Sequence, residues 1–191
     1  MMNPRYALVE NILPLDTCKL VSLEMFRLKN RGIVNSGDSQ VPTATTYDHL
    51  EYTSFLFVLL PIIKTRLEEF WDKKLIPTYV YSRLLYPGSF LLPHTDRESC
   101  EYSVSITLDH NYPKGFEYPI YMENTPINIP IGSGATYLGC EVEHWREPLI
   151  GTPENFWAQA FFHYVDADGI YADFAWDKFE HLTKHMCSDI M

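Results

Sequence analysis

From Pro77 onward the chain changes character, and that change constrains its architecture more than any other feature. Tyr, Val, Ile and Phe gather in short runs punctuated by Pro, Gly and Asn, the pattern of strands joined by turns. Eight runs qualify: Thr78 to Leu85, Ser89 to Pro93, Tyr102 to Leu108, Tyr118 to Met122, Ile127 to Ile129, Gly134 to Leu138, Val142 to Pro148 and Trp157 to Val165. Turn signals at Pro87-Gly88, Asn111-Tyr112-Pro113, Asn124-Thr125-Pro126 and Gly132-Ser133-Gly134 fall between them. Short strands at these intervals predict two antiparallel sheets arranged as a jelly roll, a double-stranded β-helix.

Ahead of this stretch the spacing is helical. Asp16 or Thr17 is placed to cap a helix running through Leu20, Leu23, Phe26 and Arg27, with apolar residues three and four apart. A second helical pattern extends from the Leu59 region to Lys74, with a charged face of Lys64, Arg66, Glu68 and Glu69 and with Pro61 near its first turn. Between them, Asn30 to Asp48 is polar and contains Gly and Thr, so it reads as a long connector suited to act as a lid. Tyr171 to Cys187 carries Phe174, Trp176, Phe179 and Leu182 among charges and predicts one closing helix. The expected class is therefore α+β, mainly β, in one domain over 1–191. Helical support occupies 1–76, the jelly-roll core 77–166, and a short C-terminal helix 167–191.

Composition agrees with one packed unit. A chain of 191 residues suits a single domain, and 46% hydrophobic residues with 4 Trp, 13 Tyr and 11 Phe can fill a large core. The 15 Lys+Arg against 25 Asp+Glu give a formal charge of -10, a field that repels nucleic acid and anionic membranes and disfavours both as partners. The longest apolar run, Phe55 to Ile63, is broken by Pro61 and falls well short of the roughly 20 residues of a membrane span. No charged-then-apolar leader opens the sequence, which predicts a cytoplasmic protein. Cys18, Cys100, Cys140 and Cys187 form no CxxC pair and read as reduced thiols, so zinc-ribbon and thioredoxin chemistry drop out.

His94-Thr95-Asp96 ends the second predicted strand, and residues two apart on a strand project to the same side. Imidazole and carboxylate can then converge on one ion, although short HxD pairs also arise by chance as a turn histidine beside a solvated Asp. His144 adds weight. It lies on the seventh predicted strand, which a jelly roll brings back across the barrel mouth toward the second. Two His and one carboxylate on one face leave three open positions, the facial triad of non-haem Fe(II) oxygenases.

At these residues the chain resembles the 2-oxoglutarate and Fe(II)-dependent oxygenases, in particular the prolyl-4-hydroxylase-like branch. The resemblance covers about Pro77 to Asp166. It is carried by Pro77 to Arg83, Tyr86-Pro87-Gly88, His94 to Arg97, Ser99 to Ser103, Glu143 to Pro148 and Gln159 to Asp166. It implies that His94, Asp96 and His144 are the catalytic iron ligands, with 2-oxoglutarate as cosubstrate, dioxygen as oxidant and ascorbate as an accessory reductant. In that branch a Lys or Arg nine or ten residues after the distal His anchors the far carboxylate of the cosubstrate, yet Pro153 and Glu154 stand there. A guanidinium suits the role because it holds two oxygens at once. Arg146, two residues from His144 and on the same strand face, is the substitute, and Arg83 is the reserve. Tyr79 and Tyr81 share the Arg83 face and can donate hydroxyls, and Tyr86 matches a position near the cosubstrate. The surface or core alternatives are an Arg146 paired with Glu143 or Glu147, an Arg83 paired across strands and a Tyr86 filling core.

The implied reaction is hydroxylation of an unactivated C–H, with a prolyl or other amino-acid group in a peptide or small molecule as the substrate that the resemblance suggests. Asp96 favours hydroxylation over halogenation, since halogenating relatives carry a small residue there. Oligomeric state is left open. Competing classes are a non-catalytic cupin-like binding module, an oxidative nucleic-acid demethylase and a zinc hydrolase. His163 in apolar company reads as a buried, hydrogen-bonded core histidine, and Cys100 as a small buried hydrophobe. Trp145 and Trp157 either wall the site or pack. Gly132-Ser133-Gly134 lacks phosphate-loop context, and His181 with His185 lacks an HExxH motif.

Overall fold

Strand alternation organises the molecule around two long strands, β4 (Leu75–Leu85) and β11 (Trp157–Asp166), paired antiparallel from Trp157↔Leu85 to Asp166↔Leu75. The computed structural model describes residues 4–36, 41, 45–48 and 54–177. β1 (Tyr6–Val9), β2 (Val34–Ser36), β3 (Thr45–Asp48), β6 (Tyr102–His110) and β9 (Gly134–Leu138) join the long pair. The seven strands run β1-β9-β6-β11-β4-β3-β2 across one sheet. β5 (Leu91–His94), β7 (Ile120–Met122), β8 (Thr125–Ile127) and β10 (His144–Arg146) make a second sheet of order β5-β10-β7-β8. Every pairing among the described residues is antiparallel.

The two faces of the large sheet have different tasks. Val80 and Leu84 of β4, Ala158, Ala160 and Phe162 of β11, and Val104, Ile106 and Leu108 of β6 point to the helical side and form one buried cluster. Tyr81, Arg83 and Leu85, with Gln159 and Phe161, point the other way and line a cleft against the small sheet. A side-chain period of two produces both sets from one stretch of sequence.

The helices back the first face. In α3 (Leu60–Trp71), Leu60, Ile63, Leu67 and Trp71 are buried at helical spacing, and Pro61 sits in the first turn where its missing N–H costs no hydrogen bond. Leu60, Ile63 and Leu67 are fully buried, so truncating any one to Ala should cost about 2–5 kcal/mol. The helix stops at Asp72, in left-handed conformation, and Glu68 Oε1 accepts the Leu75 N–H that begins β4. The predicted end at Lys74 was therefore late, and β4 starts before Thr78. A four-residue helix, α2 (Ser54–Phe57), precedes α3.

The first helix, α1 (Leu15–Asn30), departs from expectation in its orientation. Cys18, Val21, Ser22, Met25 and Leu28 form its buried stripe, whereas Leu20 and Leu23 are exposed. Phe26 lies edge-on to Phe156 at the border. Ser22 and Lys19 both reach Asp109 at the end of β6, and those bonds fix the rotation of the helix. Pro14 stands at the N-cap with no side-chain cap bond, so neither Asp16 nor Thr17 caps it; Asp16 lies in the first turn, where its charge suits the helix dipole.

Strands β1, β2 and β3 lie where no strand was expected. The described part of the Asn30–Asp48 connector is largely a hairpin, in which β3 continues the large sheet through Thr45↔Leu85 and Tyr47↔Arg83. Its β-branched and aromatic run Thr45-Thr46-Tyr47 favours an extended chain. The lid reading spans Asn30–Asp48, of which 37–40 and 42–44 lie outside the described residues. The β7–β8 turn is Glu123-Asn124, both with positive φ, a two-residue hairpin that sets Met122 opposite Thr125. The strand expected over Ile127 to Ile129 is therefore shifted to Thr125–Ile127. At the carboxyl end only a 3-10 turn over Ala172–Phe174 is described, and the predicted closing helix falls mostly on 178–191, outside the described residues together with His181, His185 and Cys187.

Candidate metal centre

β5 and β10 pair so that His94 lies opposite His144. Their ring centroids are 4.3 Å apart, and Asp96, two residues beyond the end of β5, turns its carboxylate between them. Asp96 Oδ1 lies 3.4 Å from His94 Nε2 and 3.8 Å from His144 Nε2. The three candidate donor atoms lie within 4.8 Å of one another.

The backbone sets the tautomers. His94 Nδ1 lies 2.8 Å from the Leu92 carbonyl and His144 Nδ1 lies 3.0 Å from the Val142 carbonyl. A carbonyl can only accept, so each Nδ1 donates and each Nε2 turns a bare lone pair toward Asp96. Carbonyl partners of this kind are what orient metal-binding imidazoles. Asp96 is held in place through its own N–H, which donates to the Gly139 carbonyl at 2.8 Å.

Electrostatics favour a cation here. Burial opposes the charge of Asp96, yet the hydrogen bond that His94 donates when its ring is protonated, together with nearby His144 and His163, keeps its pKa below the usual carboxylate value. Burial pulls on His94 as well, but Asp96 and the Leu92 carbonyl raise its pKa; His144 is lowered, first by burial. Asp96 Oδ2 is buried with no hydrogen-bond partner among the described residues. Two imidazole lone pairs and a carboxylate with an orphaned oxygen fit a divalent metal ion of the N/O-binding type.

A cleft lies beside this cluster, and its walls include Tyr81, Arg83, Tyr118, Tyr137, Arg146 and Phe161. Arg146 is 4% exposed, and no carboxylate pairs with it among the described residues. Its Nη1 donates to the Tyr118 carbonyl at 2.5 Å, its guanidinium lies 4.6 Å from the Tyr118 ring centre, and its Nη2 has no partner among the described residues. Burial lowers its pKa to about 10, which leaves it charged at neutral pH. The surface pairing with Glu143 or Glu147 does not occur.

Arg83 also lines the cleft and lies over Tyr81 and Phe161, which stack with centroids 4.6 Å apart. Tyr86 does not line it. Its hydroxyl receives a hydrogen bond from Lys29 at 2.5 Å, and its ring packs under the same ammonium group. Tyr86 is therefore a contact between β4 and α1, because the chain turns away from the cleft once β4 ends at Leu85.

His163 is buried and 2.8 Å from Ser103 Oγ through Nδ1, as a core histidine should be, and burial drives its pKa down to about 4. Cys100 is buried, and burial raises its thiol to about 12. Trp145 stacks on Tyr121, and Trp157 stacks on His110, so both pack. Sequence reasoning missed Tyr118, Tyr137, Gln159 and Phe161 in the cleft and Gly139 behind Asp96. Strand parity from Arg83 and its partner Gln159 contained the signal for the β11 residues; nothing local marked Gly139.

No family model matches the chain, and no curated protein matches it in sequence. Solved structures do. A Pseudomonas putida prolyl-4-hydroxylase superposes with a TM-score of 0.61 at 13% identity, over 83% of this chain and 91% of that one. This chain has the fold of the 2OG-Fe(II) oxygenases. SnoN, a non-heme alpha ketoglutarate dependent epimerase from nogalamycin biosynthesis, gives a TM-score of 0.67 at 13% identity over 86% of this chain and 79% of its own. HygX from Streptomyces hygroscopicus, solved with nickel and 2-oxoglutarate bound, gives 0.63 at 11% identity over 87% and 84%. Within this oxygenase fold, the case for each residue of the present chain rests on its own geometry.

Proposed function

We propose that this chain is an Fe(II)- and 2-oxoglutarate-dependent dioxygenase that hydroxylates an unactivated C–H of a prolyl or other amino-acid group, in a peptide or a small molecule. One observation carries the reading: the lone pairs of His94, Asp96 and His144 converge at the wall of a cleft that also holds a buried, uncompensated arginine. A metal site and an anion site within one cavity match a cosubstrate that is a chelate at one end and a carboxylate at the other. The jelly-roll reading of the two sheets and the treatment of 1–191 as one functional unit belong to the same proposal.

His94, Asp96 and His144 would hold the ferrous ion, leaving coordination positions open toward the cleft. The ion with 2-oxoglutarate and dioxygen supplies the oxidising power for C–H cleavage. The remaining tasks fall to the chain. The Leu92 and Val142 carbonyls hold both imidazoles in the metal-binding tautomer. Arg146 offers its free Nη2 to the far carboxylate of the cosubstrate, with Tyr118 fixing the other arm. Arg83 is the reserve anchor. Tyr81, Phe161, Leu91 and Ile120 supply apolar wall that keeps water from the reacting atoms.

The substrate assignment draws on the neighbours, which include a prolyl hydroxylase with a hypoxia inducible factor peptide and HygX with hygromycin B. Among the described residues no helix is long and apolar enough to cross a membrane. Cys18, Cys100 and Cys140 are free thiols, which suits the reducing cytoplasm we assign. Purified protein given Fe(II) and 2-oxoglutarate should release succinate, and Asp96→Ala should abolish that release. Succinate formation that persists in Asp96→Ala, or none from the wild type across amino-acid, peptide and small-molecule panels, refutes the proposal.

A further inference from the structure

Behind the metal cluster lies a second group of donors that the reaction does not use. Asp96, Cys100 and His163 place a carboxylate oxygen, a thiol sulfur and an imidazole nitrogen within 4.8 Å of one another. Cys100 is 1% exposed and His163 2% exposed. Two atoms in this group are buried without a hydrogen-bond partner among the described residues, Asp96 Oδ2 and His163 Nε2.

The hydrogen-bond arithmetic makes the pair unusual. Ser103 has one hydroxyl proton, and it goes to the Cys100 carbonyl at 3.0 Å. Ser103 Oγ must then accept from His163 Nδ1, 2.8 Å away, which leaves His163 Nε2 as a bare lone pair. Two buried acceptors of this cluster, His163 Nε2 and Asp96 Oδ2, thus lack a donor among the described residues, beside the Cys100 thiol, itself 3.0 Å from the Tyr79 hydroxyl. Unpartnered acceptors in a protein interior are costly unless something positive reaches them.

We propose that Asp96, Cys100 and His163 form an inner site for Zn(II), with Asp96 shared so that Oδ1 serves the outer cluster and Oδ2 the inner one. Mixed thiolate, imidazole and carboxylate ligation suits this borderline-soft ion, and the fourth position is left to water. Ser103 orients His163 as an outer partner, and the Tyr79 hydroxyl donates to the sulfur. Arg97, whose guanidinium lies 4.8 Å from the Tyr79 ring centre, is one nearby positive charge that opposes a metal, with Arg83 a second, and Asp177 neutralises Arg97 at 2.5 Å. Binding displaces the Cys100 proton to solvent, so affinity should rise with pH.

Anaerobic Co(II) titration of the full chain tests this site apart from the oxygenase reading. In a His94→Ala/His144→Ala variant the outer cluster is lost, and we expect one equivalent of Co(II) with a near-ultraviolet thiolate-to-cobalt band that Zn(II) bleaches. Adding Cys100→Ala or, separately, His163→Asn should remove the band, with circular dichroism confirming the fold of each. No band in the outer-site variant, or a band that survives Cys100→Ala, overturns the inner site. The wild type then reports on the outer cluster independently: two equivalents if both sites exist, one equivalent with the same band if only the inner site does.

Discussion

Gly139 stands directly behind Asp96: a Cβ there would lie 2.8 Å from Asp96 Oδ2 and 3.0 Å from Ser103 Oγ, and would collide with the Cys100 carbonyl oxygen. The last of these is backbone, which cannot swing aside, so Gly139→Ala must displace the chain that presents the carboxylate. Overpacking of this kind costs about 1–3 kcal/mol. We expect Mn(II) affinity, measured by calorimetry, to fall about tenfold or more, the equivalent of ~1.4 kcal/mol. Unchanged affinity would remove Asp96 from the donor set.

Arg146→Met keeps much of the side-chain volume and deletes the charge. Losing a buried cation without a counter-ion stabilises the protein, while losing the bond to the Tyr118 carbonyl destabilises it. These effects oppose each other, so the melting temperature should move by less than about 5 °C. Binding of 2-oxoglutarate in the presence of Mn(II) should weaken about 10- to 100-fold, as expected for a charge-assisted hydrogen bond of roughly 1.5–3 kcal/mol. If Arg83→Gln shows that loss and Arg146→Met does not, the anchor is Arg83.

Tyr86→Phe separates the cleft from its surroundings. The lost bond to Lys29 should lower stability by about 1 kcal/mol in chemical denaturation, because Tyr86 joins β4 to α1. Its 2-oxoglutarate affinity should match the wild type. A weakened cosubstrate with unchanged stability would return Tyr86 to the site.

Asp166 gives the fold a pH signature. Burial opposes its charge, but the Lys73 ammonium at 2.6 Å and the Asp168 N–H at 3.1 Å lower its pKa beneath the ordinary 3.8. A carboxyl with a depressed folded pKa contributes stability above its unfolded pKa and loses it as pH falls through the folded value. The melting-temperature gap between wild type and Asp166→Asn should therefore be constant from pH 7 to about pH 5 and close below about pH 4. A gap that persists at pH 2 would mean that charge plays no part.

The centre of the fold and of the cluster was legible because both are written in local patterns. Gly134–Leu138 was placed residue for residue, and β11 to within one, since β-branched and aromatic residues crowd there between turn residues. The convergence of His94, Asp96 and His144 was legible from residue type and strand spacing. Features decided by partners were not. The rotation of α1 depends on Asp109, some 90 residues away, so Leu20 and Leu23 looked like core and are not. Strands β1 to β3 are short pieces whose extended state comes from pairing with β9 and β4. Gly139 carries no motif at all; its importance is the space it leaves.

Opposite duties on neighbouring residues of β4 and β11 have a consequence for how this scaffold changes over time. Substitutions at Tyr81, Arg83, Gln159 or Phe161 alter what the cavity admits, while Val80, Leu84, Ala160 and Phe162 keep the helix-backed layer intact. New specificity can thus be explored by point changes at every second position while the helix-backed face of the same strands is left unchanged. A combinatorial library confined to those four cavity positions would vary the cleft wall and leave that layer untouched.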